Sequence, residues 1–334
     1  MSALTSSTLH LPGLGDIPAQ GSGMISLRTT SDQRFQVGHD GVHTVLATGD
    51  GTLEFVAFGD HTLAHVRSNM GYPAYYPIQP VKLEHPVEAV LMDLDGTSVR
   101  SEEFWIWIIE QTTASLLGNP RFTLQTSDHT HVSGHSVSEH LQYCIRTYCP
   151  GKTVEEARIH YFEHTHREMK AILAGTGRQG AFTPSPGLKD FLYALKDLKI
   201  RIGLVTSGLY EKAYPEILDA FRTLKMGDPA DFYDSIITAG HPLRKGTAGT
   251  LGELSPKPHP WLYAETARVG LGIPVERRHH VVGIEDSGAG VSSIRLAGFT
   301  ALGYAGGNID ASGTRALCHS MHESFDSILA TIRG

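Results

Sequence analysis

The sequence has few cysteines and no long run of apolar residues. Cys144, Cys149 and Cys318 are the three cysteines in 334 residues, which are too few for a disulfide framework and lack zinc-site spacing. No apolar run approaches the roughly 20 residues of a membrane span. The first residues also lack the basic segment and apolar core of a secretory signal. We therefore expect a cytoplasmic protein that does not bind a membrane.

An excess of positive charge is also missing. The chain has 28 Lys and Arg residues against 35 Asp and Glu residues, which gives a net charge of 28 − 35 = −7. This balance offers no electrostatic basis for binding nucleic acid, so we expect no such partner. Hydrophobic residues make up 40% and charged residues 19% of the chain, an ordinary globular composition. The length allows two domains, or one large domain with an insert.

Lysine is absent before Lys82, and this first region differs from the rest of the chain. The turn patterns GHDG, GDG and GDH separate the short segments VHTVLA, TLEFVAF and TLAHVR. This spacing predicts antiparallel strands in a meander. Four prolines in residues 71–86 predict an extended connector. We assign residues 1–86 to a small N-terminal all-β accessory unit.

From residue 87 onward, apolar strand segments alternate with helical segments. The predicted strands are AVLMDL, IRIGLVTS, SIITAG, HHVVGIED and TALGYAG. The alternation predicts an α/β fold with a doubly wound parallel sheet. Residues 101–182 instead show mostly helical apolar spacing, which predicts an inserted all-α cap domain. The core domain then comprises residues 87–100 and 183–334, and the cap overhangs the strand ends where open α/β sheets bind ligands.

Four polar clusters follow predicted strands or precede a helix. They are Asp93 and Asp95 in MDLDGT, Thr206-Ser207-Gly208, Lys257 in SPKPHP, and Glu285-Asp286 in GIEDS. Each cluster alone is also explained by ordinary turn chemistry. Together they supply hard oxygen ligands suited to Mg²⁺, with hydroxyls and an ammonium suited to phosphoryl oxygens. The combination predicts a phosphoryl-transfer site.

These four clusters, in this order, resemble those of the haloacid dehalogenase superfamily. The helical insert after the first cluster resembles the β-phosphoglucomutase-like branch of phosphatases and mutases. DGTSVRSE is similar to the branch's DGTLVDSE. GIEDSGAGVSSIRLAGFTALGYAGG is similar to its IEDS-x-x-G-x-x-A-x-x-AG pattern, with which it shares IEDS-x-x-G and a later AG. The resemblance covers about residues 87–332, and none is found for residues 1–85. It implies a Rossmann-like core with a helical cap.

The resemblance also implies catalytic roles. Asp93 would be the nucleophile that forms an aspartyl-phosphate. Asp95 would protonate the leaving oxygen and then deprotonate the attacking water. Thr206 and Lys257 would bind the phosphoryl group. The residues implied in substrate binding at the two phosphoryl-binding clusters are Thr206, Ser207, Gly208 and Lys257.

The same resemblance implies a bound Mg²⁺. Its ligands would be the Asp93 carboxylate, the backbone carbonyl of Asp95 and the Asp286 carboxylate. Glu285 would be a further ligand, or would act from outside the first coordination sphere. The two neighbouring aspartates of the first cluster repel each other, and a cation between them removes that repulsion.

Among the reactions of this superfamily, the sequence favours phosphatase activity. Dehalogenases and phosphonoacetaldehyde hydrolases lack the second aspartate, whereas this chain has Asp95. The mutase cap carries an arginine that grips a distal phosphate, and here residues 133–138 place Val137 at that position. We expect a Mg²⁺-dependent phosphatase for a small phosphorylated metabolite; a sugar-phosphate mutase is the alternative. A binding protein with a decayed site is less consistent with the intact acids.

Two further expectations concern the cap and the assembly. His135 falls in the cap segment that faces the active site in related enzymes, so we predict that it contacts substrate. We expect the protein to be a monomer or a homodimer.

Overall fold

From residue 89 onward, helical segments separate the successive strands of a parallel sheet, as the sequence predicts. The structure, a computed structural model, describes residues 8–18, 21–67, 73–131, 137–240 and 254–334, without the side chains of 129–131 and 138–139. The strands within these ranges are β1 Thr8–Leu11, β2 Gly15–Pro18, β3 Ile25–Leu27, β4 Thr44–Ala47, β5 Leu53–Ala57, β6 Thr62–Val66, β7 Ala74–Pro77, β8 Ala89–Asp93, β9 Val99–Arg100, β10 Thr183–Pro184, β11 Arg201–Leu209, β12 Ser235–Gly240, β13 Val281–Glu285, β14 Thr300–Tyr304 and β15 Ser320–His322.

Three helices begin at a residue whose side chain caps the helix N-terminus. Thr153 accepts a hydrogen bond from the Glu156 amide, and the Glu156 side chain caps in return, so the longest of these helices starts with a capping box. Ser287 and Ser324 cap two others. The helices are α1 Glu102–Leu117, α2 Val137–Tyr148, α3 Val154–Leu173, α4 Leu188–Asp197, α5 Tyr210–Leu224, α6 Pro229–Phe232, α7 Trp261–Glu265, α8 Gly288–Leu296 and α9 Phe325–Arg333.

A parallel sheet of six strands forms the core, in the order β12-β11-β8-β13-β14-β15. β8 is central, and all five of its residues are buried. A strand buried on both faces is expected to be apolar throughout, as AVLM is. α4 packs on β11 and α9, while α7 and α8 pack on each other and on strands of the sheet. The doubly wound α/β fold class is confirmed.

The N-terminal region forms an antiparallel sheet in the order β3-β4-β5-β6-β7, and β1 pairs separately with β2. The expectation of an extended connector over 71–86 is wrong in part, because β7 pairs with β6. Proline is compatible with this position, since β7 is an edge strand and Pro77 ends it.

The chain divides into two compact units. One comprises residues 1–97, 186–210 and 230–334, and the other comprises 98–185 and 211–229. The second unit contains α1, α2 and α3, which pack on one another, and the short β9–β10 pair. These three helices lie within residues 101–182, where the sequence predicts a helical cap, and the assignment of that range to a cap domain stays a prediction. The assignment of residues 1–86 to a domain of their own stays a prediction.

The N-terminal sheet and the parallel sheet share one hydrophobic core. Buried residues of the first region (Leu11, Leu53 and Phe55 among them) belong to the same cluster as Leu91 and Val291 of the parallel sheet and its helix. Burial of this apolar surface stabilises both sheets together, because neither covers its inner face alone.

Among the described residues, no helix has the length and apolar character needed to cross a membrane.

The shared core leads to a stability prediction. Phe55 is 1% exposed within the cluster, so Phe55→Ala is expected to lower the free energy of unfolding by about 3–5 kcal/mol. Ile25 lies in the same sheet and is 50% exposed. Ile25→Ala is the matched control, with an expected change within about 0.5 kcal/mol. Denaturant unfolding measures the free energy of unfolding of both variants. Equally small decreases for the two variants would contradict the burial of Phe55 in the shared core.

Candidate active site

Strand register brings the predicted acids and hydroxyls to one edge of the parallel sheet. Asp93 is the last residue of β8, and Val205 of β11 is its partner in register. On the other side, Ile284 of β13 pairs with Met92. Thr206 and Glu285 each follow one residue later, so both arrive at the carboxyl edge beside Asp93. This is the edge at which open α/β sheets bind ligands.

The ammonium group of Lys257 lies between two of these carboxylates. Its Nζ is 2.6 Å from Oε1 of Glu285 and also bonds Oδ1 of Asp93. The Lys257 side chain is only 7% exposed, and both carboxylates are buried as well. Buried charges need such partners, because an unpaired charge in the interior is strongly destabilising.

Hydroxyl groups donate hydrogen bonds to Glu285, the last residue of β13, and to Asp286, the residue after it. Tyr263 donates to Oε1 of Glu285 at 2.7 Å, and Ser287 donates to Oε2 at 2.9 Å. Thr97 donates to Oδ1 of Asp286 at 3.2 Å. Sequence reasoning missed these three donors. Thr97 and Ser287 stand inside the DGT and EDS motifs, which is a usable signal, whereas Tyr263 lies on α7 with no distinguishing pattern.

The charged groups of the cluster shift one another's pKa values. Burial raises the pKa of Asp93 well above its usual range, and repulsion from Glu285 adds to this, while Lys257 opposes it. Burial and repulsion from Glu285 raise the pKa of Asp286 to about 7. Burial lowers the pKa of Lys257, but attraction to Asp93 and Glu285 outweighs it, so the pKa lies above its ordinary value. The lysine therefore stays protonated.

The donor set fits a hard divalent cation. Carboxylate oxygens of Asp93, Glu285 and Asp286 all lie within 4.8 Å of one another. Three carboxylates and one ammonium carry a formal charge of −3 + 1 = −2. Oxygen ligands and this charge suit Mg²⁺. A Cβ placed on Gly96 would lie 2.1 Å from Oδ2 of Asp286, so glycine is needed there for the close approach.

Of the remaining predicted core residues, Asp95 follows β8, whereas Thr206, Ser207 and Gly208 lie within β11. Asp95 is exposed, two residues beyond Asp93, and its charge contributes to the raised pKa of Asp93. Thr206 is buried and accepts a hydrogen bond from the Gly208 amide at 2.9 Å. Ser207 is exposed and accepts one from the Lys257 amide at 3.1 Å. This hydrogen bond joins the segment of Lys257 directly to β11.

His135, predicted to contact substrate, lies outside the described residues.

The fold and the cluster define a class of protein: an α/β core with acidic residues and a lysine at the carboxyl edge of its parallel sheet. Residues 87–298 match the family model of haloacid dehalogenase-like hydrolases. The chain belongs to that family, as the sequence motifs indicated. The comparison with curated proteins gives no match.

Solved structures share the fold at low sequence identity. A phosphoglycolate phosphatase predicted in Haemophilus somnus has 15% identity and a TM-score of 0.54, covering 74% of this chain and 98% of its own. CbbY from Rhodobacter sphaeroides, in complex with phosphate, has 21% identity and a TM-score of 0.51, covering 74% and 100%. A provisional β-phosphoglucomutase from Thermotoga maritima has 20% identity and a TM-score of 0.51, covering 74% and 98%.

The close packing around Glu285 gives a prediction. A Cβ on Gly290 would lie about 2 Å from the Glu285 carboxyl atoms (1.8, 1.9 and 2.2 Å). Alanine normally stabilises a helix relative to glycine. Because of this overlap, however, Gly290→Ala is expected to lower the free energy of unfolding by about 1–3 kcal/mol. Gly151→Ala is the control, since nothing lies within 4 Å of its Cβ. Denaturant unfolding measures the free energy of unfolding of both variants. A Gly290→Ala protein more stable than the wild type would contradict the close packing around Glu285.

Proposed function

We propose that this protein is a Mg²⁺-dependent phosphatase that hydrolyses a small phosphorylated metabolite, such as a sugar phosphate or a similar phosphomonoester. The observation that carries the proposal is the buried cluster of Asp93, Lys257, Glu285 and Asp286 at the carboxyl edge of the sheet. Membership of the hydrolase family supports the reaction class.

In this proposal Asp93 attacks the phosphorus atom and carries the phosphoryl group as an aspartyl-phosphate. Thr206 and Lys257 bind the phosphoryl oxygens, since a hydroxyl and an ammonium group both donate hydrogen bonds to them. Lys257 already bonds Asp93, so one ammonium group both orients the nucleophile and neutralises charge that develops on the phosphoryl oxygens. The Ser207 hydroxyl is a further donor on this side, while the Gly208 amide holds the Thr206 hydroxyl in place.

Asp95 performs the proton transfers. Its side chain is exposed, whereas Asp93 is buried, so the two carboxylates occupy different environments two residues apart. In the first step Asp95 donates a proton to the leaving oxygen of the substrate. In the second step it accepts a proton from the water that attacks the aspartyl-phosphate, which releases phosphate and restores Asp93.

Asp93, Asp286 and the backbone carbonyl of Asp95 would hold the metal ion, with Glu285 as a further ligand or a neighbour of the coordination sphere. Bound Mg²⁺ would screen the negative charge of the phosphoryl group against the carboxylates. Because Glu285 is also held by Lys257, Tyr263 and Ser287, its orientation is fixed before a metal binds.

A mutase is the alternative, and the cap sequence bears on it. A bisphosphate intermediate needs a second anion site, and Val137 stands where the mutase cap has its arginine. A mutase would return an isomerised sugar phosphate in the presence of a sugar bisphosphate, with no free phosphate. That product, in place of phosphate, would contradict the proposed function.

Phosphate release tests the proposal directly. A panel of phosphorylated metabolites is assayed with Mg²⁺ and with EDTA, on the wild type and on Asp93→Asn. We expect metal-dependent release that Asp93→Asn abolishes, because the amide is no nucleophile. Folding of the variant is checked by its unfolding curve. Equal release by the variant and the wild type would remove Asp93 from the reaction.

A second substitution tests the proton transfers. Asp95→Asn is expected to keep the fold and Mg²⁺ binding but to lower turnover of alkyl phosphates about 10²–10⁴-fold, since the leaving alkoxide then receives no proton. Calorimetric titration with Mg²⁺ and steady-state kinetics measure the two properties. Near-normal turnover would exclude Asp95 from the acid and base role.

A further inference from the structure

The N-terminal sheet contacts the segment that carries Lys257. Tyr76 lies on the edge strand β7, and its hydroxyl is 2.8 Å from Nδ1 of His259. The two residues are 183 positions apart in the sequence, and His259 is only two residues beyond Lys257. The Tyr76 ring also packs edge-on against the rings of His259 and Trp261.

His259 depends on this contact for its side-chain hydrogen bond. The residue is 2% exposed, and among the described residues its Nε2 atom has no hydrogen-bond partner. Burial lowers the pKa of the imidazole, so the ring is neutral near pH 7. Tyr76 therefore supplies the one hydrogen bond to the His259 ring within the described chain. The His259 carbonyl is held separately by Ser293, whose hydroxyl donates to it at 2.6 Å.

Lys257 is sensitive to the position of this segment. Its amide bonds the Ser207 hydroxyl, and its ammonium lies between two buried carboxylates. A shift of the backbone next to the lysine moves the ammonium relative to both acids. Displacements of about 1 Å at such a group can lower a rate about 10²-fold.

The same N-terminal region contacts two other segments near the acids. Arg295 of α8, the helix that follows Asp286, donates to the Gly13 carbonyl at 3.2 Å. Gly23 approaches Gly313 so closely that a Cβ on Gly23 would lie 2.6 Å from the Gly313 Cα. The loop that follows β14 contains both Gly313 and Asn308, and the Asn308 side chain accepts a hydrogen bond from the Gly288 amide at 2.8 Å. The N-terminal region thus supports the segments on either side of the cluster.

We propose that Tyr76 is a positioning residue for the active site: through its hydrogen bond to His259 it fixes the segment that presents Lys257 to Asp93 and Glu285. The inference rests on the proposed function and assigns to the N-terminal sheet a part in that same site. The sheet is then a component of the catalytic unit, beyond its role in the shared core.

Tyr76→Phe and Tyr75→Phe form a matched pair. Both remove one hydroxyl from neighbouring positions of β7, but the Tyr75 hydroxyl bonds Asp32, at 2.9 Å from each carboxylate oxygen. We expect Tyr76→Phe to lower kcat about 10-fold to 100-fold with little change in KM, and Tyr75→Phe to stay near the wild-type rate. Equal kcat values for the two variants would overturn the inference.

A double-mutant cycle tests whether Tyr76 acts through His259. His259→Leu removes the imidazole, so adding Tyr76→Phe to it is expected to cause no further loss of kcat. Losses that multiply would show that Tyr76 acts by another route and would overturn the inference.

Hydrogen exchange separates this inference from the proposed function, because it needs no activity. In the full chain, Tyr76→Phe is expected to speed amide exchange several-fold at Lys257, at His259 and in residues 261–263, and Tyr75→Phe to leave it unchanged. Unchanged exchange in Tyr76→Phe would overturn the inference even if the wild type is an active phosphatase. Conversely, a wild type that releases no phosphate contradicts the proposed function alone.

Discussion

The ion pairs of buried Lys257 with Asp93 and Glu285 are the interactions on which the rest of the site depends. Three carboxylates meet at the edge of the sheet, and burial raises the pKa of two of them, Asp93 and Asp286. The ammonium group of Lys257 is the nearby positive charge that opposes this rise in both pKa values. Removing one member of such a buried pair leaves an uncompensated charge, which is far more costly than the pair itself.

The acids and the lysine reach the site by different means. β8 and β13 are neighbours in the sheet, so the register of their backbones alone places the acids side by side. Lys257 comes from a segment outside the sheet. Its amide bonds Ser207, and His259, two residues further along the same segment, bonds Tyr76 of the N-terminal sheet. The N-terminal region, which the sequence assigns to a separate accessory unit, is packed into the same hydrophobic core as the strands that carry the acids.

Much of this arrangement could be predicted from the sequence. AVLMD and VVGIE are buried apolar runs that end in acids, and the carboxyl ends of parallel strands meet at one edge, so their clustering follows from topology. β7 could not be predicted, because its prolines are as typical of a connector as of an edge strand. The hydrogen bonds of Tyr263 with Glu285 and of Tyr76 with His259 could not be predicted either. Neither tyrosine lies in a recognisable motif, and each contacts a residue that is distant in the sequence.

The most direct test of the account is a burst experiment with an aryl phosphate, whose leaving phenolate needs no proton. Asp95→Asn should still transfer the phosphoryl group to Asp93 but hydrolyse it slowly, because the attacking water lacks its base. The account predicts a rapid burst of one phenolate per protein molecule, with the phosphoryl group found on the Asp93 peptide by mass spectrometry after acid quenching. Absence of the burst in a variant that still turns the aryl phosphate over, or a phosphoryl group on another residue, would contradict it.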